Sequence, residues 1–353
     1  MGHSPSDVEP STRALSNIDP ALRRCWHPVA RPSEVTAQPL RVMLLGQPWV
    51  LYRAGGRIVA FEDRCPHRRT PLSLGRCHED VLQCAYHGWR FDAAGTCIEI
   101  PALGPGATVP PAARLSGPAG LAEAHGIVFL SPEEPISPLG SIVEADDPSF
   151  EAGELPTLSA RASAGLLADN FLELAHFPFV HAGTFGAGEA AEVPPYTVTR
   201  DDDWSFTVSY THPFANREDP GVAAGIRPLM QTRRLAYRLS APFHLRLRID
   251  FVEAGGSNVI GFFIQPESAD SCRLFTTLWR DDLSGDAQRM ADAVDFEVAV
   301  LREDLRVQEA FDALVLPLAP TAEVHTRADR ITLELRRVLS ELVAAATPGS
   351  GRP

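Results

Sequence analysis

Two pairs of metal-binding side chains at a defined spacing constrain this chain of 353 residues more than any other feature. Cys65 and His67 are followed, after a gap of sixteen residues, by Cys84 and His87. Each pair comes directly after a short run of β-forming residues, so the pairs are expected at the ends of strands. Two cysteines can hold one iron of a 2Fe–2S cluster while two histidines hold the other, which is the ligation of a Rieske centre.

A closed structural zinc site is the alternative for these four side chains. The Cys-x-His spacing of the first pair is unusual for zinc fingers, in which closely spaced Cys-x-x-Cys pairs dominate. The remaining four cysteines do not follow this spacing, and we expect them to be buried or free thiols. They are Cys25, Cys77, Cys97 and Cys272.

A second group of candidate ligands lies about a hundred residues later, in the segment DNFLELAHFPFVH at 169–181. Glu173 and His176 are three residues apart and are predicted to share a helix face. On an uninterrupted helix His181 would point away from them, but Pro178 disfavours a regular helix and lets the chain turn back. Two histidines and one carboxylate make the face of a non-haem Fe(II) site with positions open for O2. Taken alone, the segment also fits an ordinary helix acid and two loop histidines.

The sequence pattern differs on the two sides of a proline-rich and acidic stretch at 131–156. This stretch is predicted to be a linker. Short β-like runs broken by glycine and proline occupy about 40–130, as in a small all-β domain. Longer strand candidates between about 204 and 280 predict an antiparallel sheet. Helices are predicted over 165–177, 286–314 and 327–346.

Composition excludes several classes of protein. The formal net charge of -13 argues against a nucleic-acid binder, because phosphate backbones attract cationic surfaces. No apolar run approaches the ~20 residues needed to cross a bilayer. The N-terminal segment lacks the apolar centre of a secretory signal, and the few scattered cysteines do not predict a disulfide scaffold. We therefore expect a soluble, cytoplasmic protein whose thiols stay reduced.

Both ligand segments resemble one family. CPHRRTPLSLGRC followed by CAYHGWRFDAAGTC resembles the Rieske domain of aromatic-ring-hydroxylating and demethylating oxygenases. Residues 169–181 resemble the Asn-x2-Asp-x2-His-x4-His segment of the same family. The resemblance implies that His176 and His181 bind the catalytic iron and that Asn170 and Glu173 are catalytic residues. In the family the acid bridges a neighbouring subunit's Rieske histidine to the iron site, and here it is Glu173 where aspartate is usual.

The third iron ligand is implied by a more distant segment. LREDLRVQE at 301–309 resembles the family's Glu-Asp segment, in which the aspartate binds iron. Asp304 is therefore the expected carboxylate ligand, and the adjacent Glu303 is its competitor. The alternative is that both are solvated acids on the surface of a helix.

The resemblance also implies an α+β fold, in which an all-β Rieske domain accompanies a helix-grip-like catalytic domain with an antiparallel sheet and flanking helices. The substrate pocket is expected near the aromatic residues of that sheet, without knowing which face points inward: Phe206, Tyr210, Phe251, Phe262 and Phe263. The expected parts are a flexible arm at 1–20, an N-terminal part of the catalytic domain at 21–39, the Rieske domain at 40–135, the catalytic non-haem iron domain at 136–346 and a flexible tail at 347–353.

In function, the chain resembles the vanillate/dicamba O-demethylase and caffeine N-demethylase branch. This implies a homotrimeric oxygenase component that uses a 2Fe–2S cluster, a mononuclear Fe(II) and O2 on a small-molecule substrate. The chain has no glycine-rich dinucleotide fingerprint, so NAD(P)H is expected to act only through a separate ferredoxin and/or flavin reductase. Oxidative demethylation or C-hydroxylation is the expected reaction. The alternatives are a ring-hydroxylating dioxygenase, a biosynthetic tailoring oxygenase and, more remotely, a Rieske electron-transfer protein without oxygenase activity.

Overall fold

The computed structural model of the chain describes residues 13–186, 191–216 and 219–347. The fold is α+β, as expected, with antiparallel sheets and few helices. The strands of the N-terminal part are β1 Ala14–Ser16, β2 His27–Ala30, β3 Leu40–Leu44, β4 Gln47–Ala54, β5 Arg57–Glu62, β6 Arg76–His78, β7 Val81–Gln83, β8 Arg90–Phe91, β9 Cys97–Glu99, β10 Gly120–Ala124 and β11 Ile127–Ser131.

The C-terminal part contains the longer strands and the helices. Its strands are β12 Glu151–Glu154, β13 Leu158–Ala160, β14 Thr197–Asp202, β15 Ser205–Ala215, β16 Met230–Ser240, β17 His244–Phe251, β18 Ser257–Pro266, β19 Cys272–Arg280 and β20 Val315–Pro317. Its α-helices are α1 Ala164–Leu172, α2 Phe177–Val180, α3 Pro220–Ala223, α4 Ala287–Gln308 and α5 Arg330–Ala346. Short 3-10 helices cover Pro20–Arg24, Leu72–Leu74, Pro101–Leu103, Val143–Ala145, Pro320–Ala322 and Arg327–Asp329.

The small sheets of the N-terminal part hold the two loops that carry the cysteine and histidine pairs. Strands β3, β4 and β5 form one sheet, and β6 to β9 form another in chain order. A separate hydrophobic cluster fills the space between them and includes Tyr52, Phe91 and the two cysteines Cys65 and Cys84. The all-β character predicted for this part of the chain is confirmed.

A second, eight-stranded sheet forms the frame of the C-terminal part, with the order β12-β19-β18-β17-β16-β15-β14 and β13 paired to β19. One face carries the main core, to which α1, α4 and α5 contribute residues such as Leu167, Leu301 and Leu339. On the other face, Phe263 and Trp279 pack against β11 and the residues next to it. Because both faces are covered, β18 is buried along its entire length. The predicted antiparallel sheet is confirmed.

Several predicted boundaries are wrong, and two of them are decided by strand pairing with a distant part of the chain. Residues 14–20 are not a flexible arm: β1 pairs with β20, and Leu15 is buried in the main core. The predicted linker at 131–156 contains β12, which pairs with β19. The helices expected over 165–177 and 286–314 end earlier, at Leu172 and Gln308.

The remaining predictions are either confirmed or untested. The helix at 327–346 is confirmed, since a 3-10 turn leads directly into α5. Residues 1–12 of the arm and 348–353 of the tail lie outside the described residues. The division into domains at 21–39, 40–135 and 136–346 stays a prediction.

Among the described residues, no helix is long and apolar enough to cross a membrane. The expected cytoplasmic location stays a prediction.

Two buried histidines join the N-terminal part to the large sheet. His27 on β2 is fully buried and His244 on β17 is nearly so, and His244 Nε2 lies 3.0 Å from the carbonyl oxygen of Trp26. Burial lowers the pKa of His27 from 6.5 to about 4, against the opposing effect of the Leu22 carbonyl. Burial, together with the charge of His27, lowers the pKa of His244 from 6.5 to about 3.

Because the pKa values of both histidines are lowered, we expect the fold to be sensitive to acid. The unfolded chain binds protons at both positions below pH 6.5 and the folded chain does not, so the free energy of unfolding falls as the pH drops from 6.5 toward the folded pKa values. The slope is about 1.4 kcal/mol per pH unit for each histidine. Melting temperatures measured over this range should fall less steeply for His244→Gln than for the wild type. The exposed His78 supplies the control, and equal slopes for His244→Gln, His78→Gln and the wild type would contradict the prediction.

Candidate metal centres and active site

The two loops that carry Cys65 and Cys84 have the same pattern of backbone hydrogen bonds. Cys65 follows β5 and Cys84 follows β7, and in both loops the cysteine amide donates to the carbonyl oxygen five residues later at 2.9 Å. The cysteine carbonyl accepts from the amide four residues later, at 2.9 Å in the first loop and 3.1 Å in the second. That donor is Arg69 (φ 60°) in one loop and Gly88 (φ 71°) in the other. Two loops of the same shape therefore face each other across one site.

Within these loops the thiols lie inside and the imidazoles lie outside. Cys65 and Cys84 are both buried; burial, together with the neighbouring Cys84, raises the pKa of the Cys65 thiol to about 11. His67 Nδ1 and His87 Nδ1 are 3.1 Å apart at the surface, and Trp89 stacks on the His67 ring with a centroid distance of 4.7 Å. The sulfurs form one pair and the ring nitrogens another, so the set fits two irons, one held by each kind of ligand.

The second group of ligands depends on a break between two helices. Helix α1 ends at Leu172, and Glu173 caps it with its N–H donated to the carbonyl oxygens of Asp169 and Asn170. A new helix, α2, begins after His176 and ends before His181. The expectation that Glu173 and His176 share a helix face is therefore wrong. Because the two histidines flank a single helical turn, their rings meet on the same side.

Pro178 contributes to this geometry differently from the expectation. It lies in the first turn of α2, where a proline is tolerated because its missing N–H has no partner in the helix. The interruption of the helix lies upstream, between Glu173 and His176. The expected result, two converging imidazoles, is nevertheless found.

His176, His181 and Asp304 bring three ligand atoms together. His176 Nε2 lies 3.2 Å from His181 Nε2 and 3.4 Å from Asp304 Oδ1, and His181 Nε2 lies 3.2 Å from the same oxygen. An ion with bonds of about 2.1 Å separates adjacent ligands by about 3.0 Å in octahedral and about 3.4 Å in tetrahedral geometry. Asp304 Oδ1 is buried without a hydrogen-bond donor among the described residues. The three residues fit one metal ion.

Each of the two imidazoles has a carboxylate next to its Nδ1 atom, on the side of the ring away from the converging Nε2 atoms. His176 Nδ1 is 2.9 Å from Glu173 Oε2, and His181 Nδ1 is 2.9 Å from Glu303 Oε2. The hydroxyl of Thr184 donates to the same Glu303 oxygen at 2.8 Å. A carboxylate that accepts the Nδ1 proton fixes the tautomer in which Nε2 presents a lone pair to a metal. Sequence reasoning missed this role of Glu303 and treated it as a competitor of Asp304.

The charges of this group are strongly coupled. Burial lowers the pKa of His176, but the carboxylates of Asp304 and Glu173 outweigh it and raise that pKa to about 9. Burial raises the pKa of Asp304, but the neighbouring imidazoles of His176 and His181 outweigh it and lower that pKa to about 2. A proton on His176 thus occupies the place that a metal cation would take.

A cavity of about 430 Å³ opens next to these three residues. It lies between the large sheet and helices α1, α2 and α4, and its volume suits a small organic molecule. Most of its wall is apolar, with a few polar groups such as Asn258 and Thr276. Arg233 in the wall lies over the ring of Phe214, 5.0 Å from its centroid. Asn170 also lines this cavity, as do the three converging residues.

The aromatic residues expected in the pocket are only partly there. Phe251 and Phe262 line the cavity. Phe263 points to the opposite face of the sheet, because neighbouring residues of a strand alternate between faces. Phe206 and Tyr210 belong to the core and are not in the cavity wall; Tyr210 stacks behind it on Tyr237.

Family models match both parts of the chain. The family model for the Rieske [2Fe-2S] domain matches residues 25–112, and the model for the vanillate O-demethylase oxygenase C-terminal domain matches residues 160–345. Over 342 residues the chain is 30% identical to methylxanthine N3-demethylase of Pseudomonas putida, across 93% of this chain and 91% of that protein. The methylxanthine N1-demethylase of the same organism is 28% identical over 352 residues, with the same coverage.

Solved structures give the same result. The N1-demethylase of Pseudomonas putida CBB5 with caffeine superimposes with a TM-score of 0.81 at 28% identity, covering 95% of this chain and 94% of that one. Dicamba monooxygenase bound to 3,6-dichlorosalicylic acid shares the fold with a TM-score of 0.78 at 21% identity, covering 92% and 98%. The catalytic-domain match spans more than half of the 353 residues. The chain is therefore an oxidoreductase that belongs to the Rieske oxygenases with a vanillate O-demethylase-type catalytic domain.

Proposed function

We propose that the protein is the terminal oxygenase of a monooxygenase system that removes an N- or O-methyl group from a small, largely apolar organic molecule. The observation that carries the proposal is the cavity of about 430 Å³ that opens onto His176, His181 and Asp304. An electron carrier without oxygenase activity would not need such a cavity. The demethylase names of the relatives support the choice of reaction.

In this proposal, Cys65 and Cys84 bind one iron of the 2Fe–2S cluster, and His67 and His87 bind the other. The mononuclear iron is bound by three residues, His176, His181 and Asp304. Supporting this assignment are the pairing of like ligand atoms in the first site and the distances of 3.2–3.4 Å in the second. When bound, the cluster supplies electrons and the mononuclear iron activates O2 for oxidation of a substrate C–H bond.

The chain's own residues supply placement and exclusion of water. Glu173 and Glu303 hold the two imidazoles in the orientation that a metal requires. The apolar wall, including Phe262 and Leu301, keeps water from the bound substrate and orients its methyl group toward the metal ligands. Asn170 lies beside Asp304 at the edge of the cavity, and its side chain acts on the Asp304 carboxylate.

Electrons reach the protein from a separate partner. Several relatives are named as subunits of multi-component systems, among them the iron-sulfur subunit of a toluene-4-sulfonate monooxygenase system, which is 31% identical over 234 residues. The donor we propose is a ferredoxin and/or a flavin reductase that uses NAD(P)H. The exposure of the His87 imidazole supports contact between the cluster and such a protein.

Turnover with methylated aromatic compounds tests the proposed reaction. Oxidation of a methyl group consumes O2, two electrons and two protons; one oxygen atom enters the methyl C–H bond, the other leaves as water, and the hydroxymethyl group is released as formaldehyde. With a surrogate reductase and NAD(P)H, we expect formaldehyde and demethylated product in equal amounts from the wild type and none from Asp304→Ala. A hydroxylated product that retains its methyl group would contradict demethylation. A substrate-independent cycle of reduction and reoxidation of the cluster, without product, would contradict the oxygenase function.

We further propose that the working unit is a homotrimer in which the cluster of one copy serves the iron site of the next. Two exposed apolar side chains support contact at both sites. Tyr86, next to the cluster ligand His87, is 64% exposed, and Phe179, between His176 and His181, is 72% exposed. Tyrosine and phenylalanine are enriched in protein–protein interfaces relative to the rest of the surface. Contact between the two sites would bring His87 of one copy close to Glu173 of another.

Mixing two inactive variants tests transfer between copies. Cys84→Ser should lack the cluster, and Asp304→Ala should lack the mononuclear iron. If electrons pass between chains, oligomers that contain both variants should recover part of the wild-type activity, whereas each variant alone stays inactive. Mixed oligomers of three chains that remain inactive would contradict the proposal, with mass measurement confirming that mixing has occurred.

A further inference from the structure

A buried glutamine lies one helical turn after the carboxylate ligand on α4. Gln308 follows Asp304 by four residues, so the two side chains lie on the same face of the helix. Only 4% of Gln308 is exposed. Its side-chain amide donates from Nε2 to Asn170 Oδ1 at 2.8 Å. Gln308 itself does not line the cavity, so it meets neither substrate nor metal directly.

This contact determines which end of the Asn170 amide faces the metal site. A side-chain amide has one oxygen, which accepts, and one NH2 group, which donates. Because the oxygen of Asn170 is taken by Gln308, its NH2 group is turned to the other side. On that side the Asn170 side chain acts on the carboxylate of Asp304 and lowers its pKa, and both residues line the same cavity. A rotated amide would instead point its oxygen at that carboxylate, and the two acceptors would repel.

We infer that Gln308 is a positioning residue for the mononuclear metal site, acting through Asn170 on Asp304. The inference rests on the proposed function, since it assumes that Asp304 is a metal ligand. Held by the Asn170 NH2 group, the carboxylate keeps one oxygen directed at the two imidazole nitrogens, as the distances of 3.2 and 3.4 Å show. A fixed carboxylate leaves the remaining metal positions open for O2 and substrate.

A role in packing alone does not account for this residue. Gln308 Oε1 is buried and has no hydrogen-bond partner among the described residues. A buried polar atom without a partner is costly, whereas methionine would fill a similar volume without that cost. Glutamine at this position therefore reflects the bond from Nε2 to Asn170.

The affinity of the site for Fe(II), measured by competition with a chelator, tests the inference. Loss of a residue that orients a metal ligand typically weakens metal binding by about 10- to 100-fold. We expect Gln308→Met to weaken Fe(II) binding by about 10-fold while the cluster absorbance stays at the wild-type level. Gln288→Met, at an exposed position of the same helix, is the matched control and should bind Fe(II) like the wild type. In an Asn170→Ala background, Gln308→Met should cause no further loss, because Gln308 acts only through Asn170.

Four outcomes would overturn the inference or its basis. Fe(II) affinity of the wild-type level in Gln308→Met, or an equal further loss in the Asn170→Ala background, removes the positioning role but leaves the proposed function intact. Wild-type Fe(II) binding in Asp304→Ala removes the proposed metal site and the inference with it. If Gln308→Met fails to assemble its cluster, Gln308→Glu provides the same test: its carboxylate has almost the same shape but accepts rather than donates. It should therefore turn the Asn170 amide and weaken Fe(II) binding, and wild-type affinity in that variant would overturn the inference.

Discussion

The convergence of two imidazole nitrogens on one buried carboxylate oxygen is the constraint on which the catalytic half of this structure depends. Asp304 Oδ1 lies within 3.4 Å of both His176 Nε2 and His181 Nε2, and this oxygen makes no hydrogen bond among the described residues. A buried anion of this kind is stable only beside a cation. A proton on His176 or a metal ion can supply that charge. Glu173 and Glu303 then add negative charge on the far side of each ring and favour the metal further.

The rest of the fold serves to bring these groups together. The histidines come from the two ends of a one-turn helix, and the carboxylate comes from α4, more than a hundred residues later. The large sheet holds α1 and α4 on the same face, because its core is continuous with theirs. The cavity forms where the helices part from the sheet beside the three ligands. The cluster site is organised in the opposite way, by two similar loops that lie close together and expose their imidazoles.

Sequence reasoning succeeded where chemistry and spacing are local. The cysteine and histidine pairs of the first site, and His176 and His181 of the second, could be named from short segments. Their convergence agrees with the expected metal sites. Asp304 was chosen over Glu303 by resemblance, and the distances now give a physical reason: Asp304 faces both Nε2 atoms, whereas Glu303 bonds to an Nδ1 atom. Features set by distant contacts were missed, including strand β1, the helix break before His176, and the face on which Phe263 lies.

The most direct test of an account with two iron centres compares the wild type with Asp304→Ala and Glu303→Ala. The iron content of each protein is measured together with the EPR signal of its reduced cluster. The wild type should bind about three irons per chain, two in the cluster and one in the mononuclear site. Asp304→Ala should keep the cluster signal and lose the third iron, whereas Glu303→Ala should keep both, with the third iron bound about 10-fold more weakly. The account would be contradicted if Asp304→Ala retained the third iron while Glu303→Ala lost it, or if the wild type bound zinc in place of the cluster.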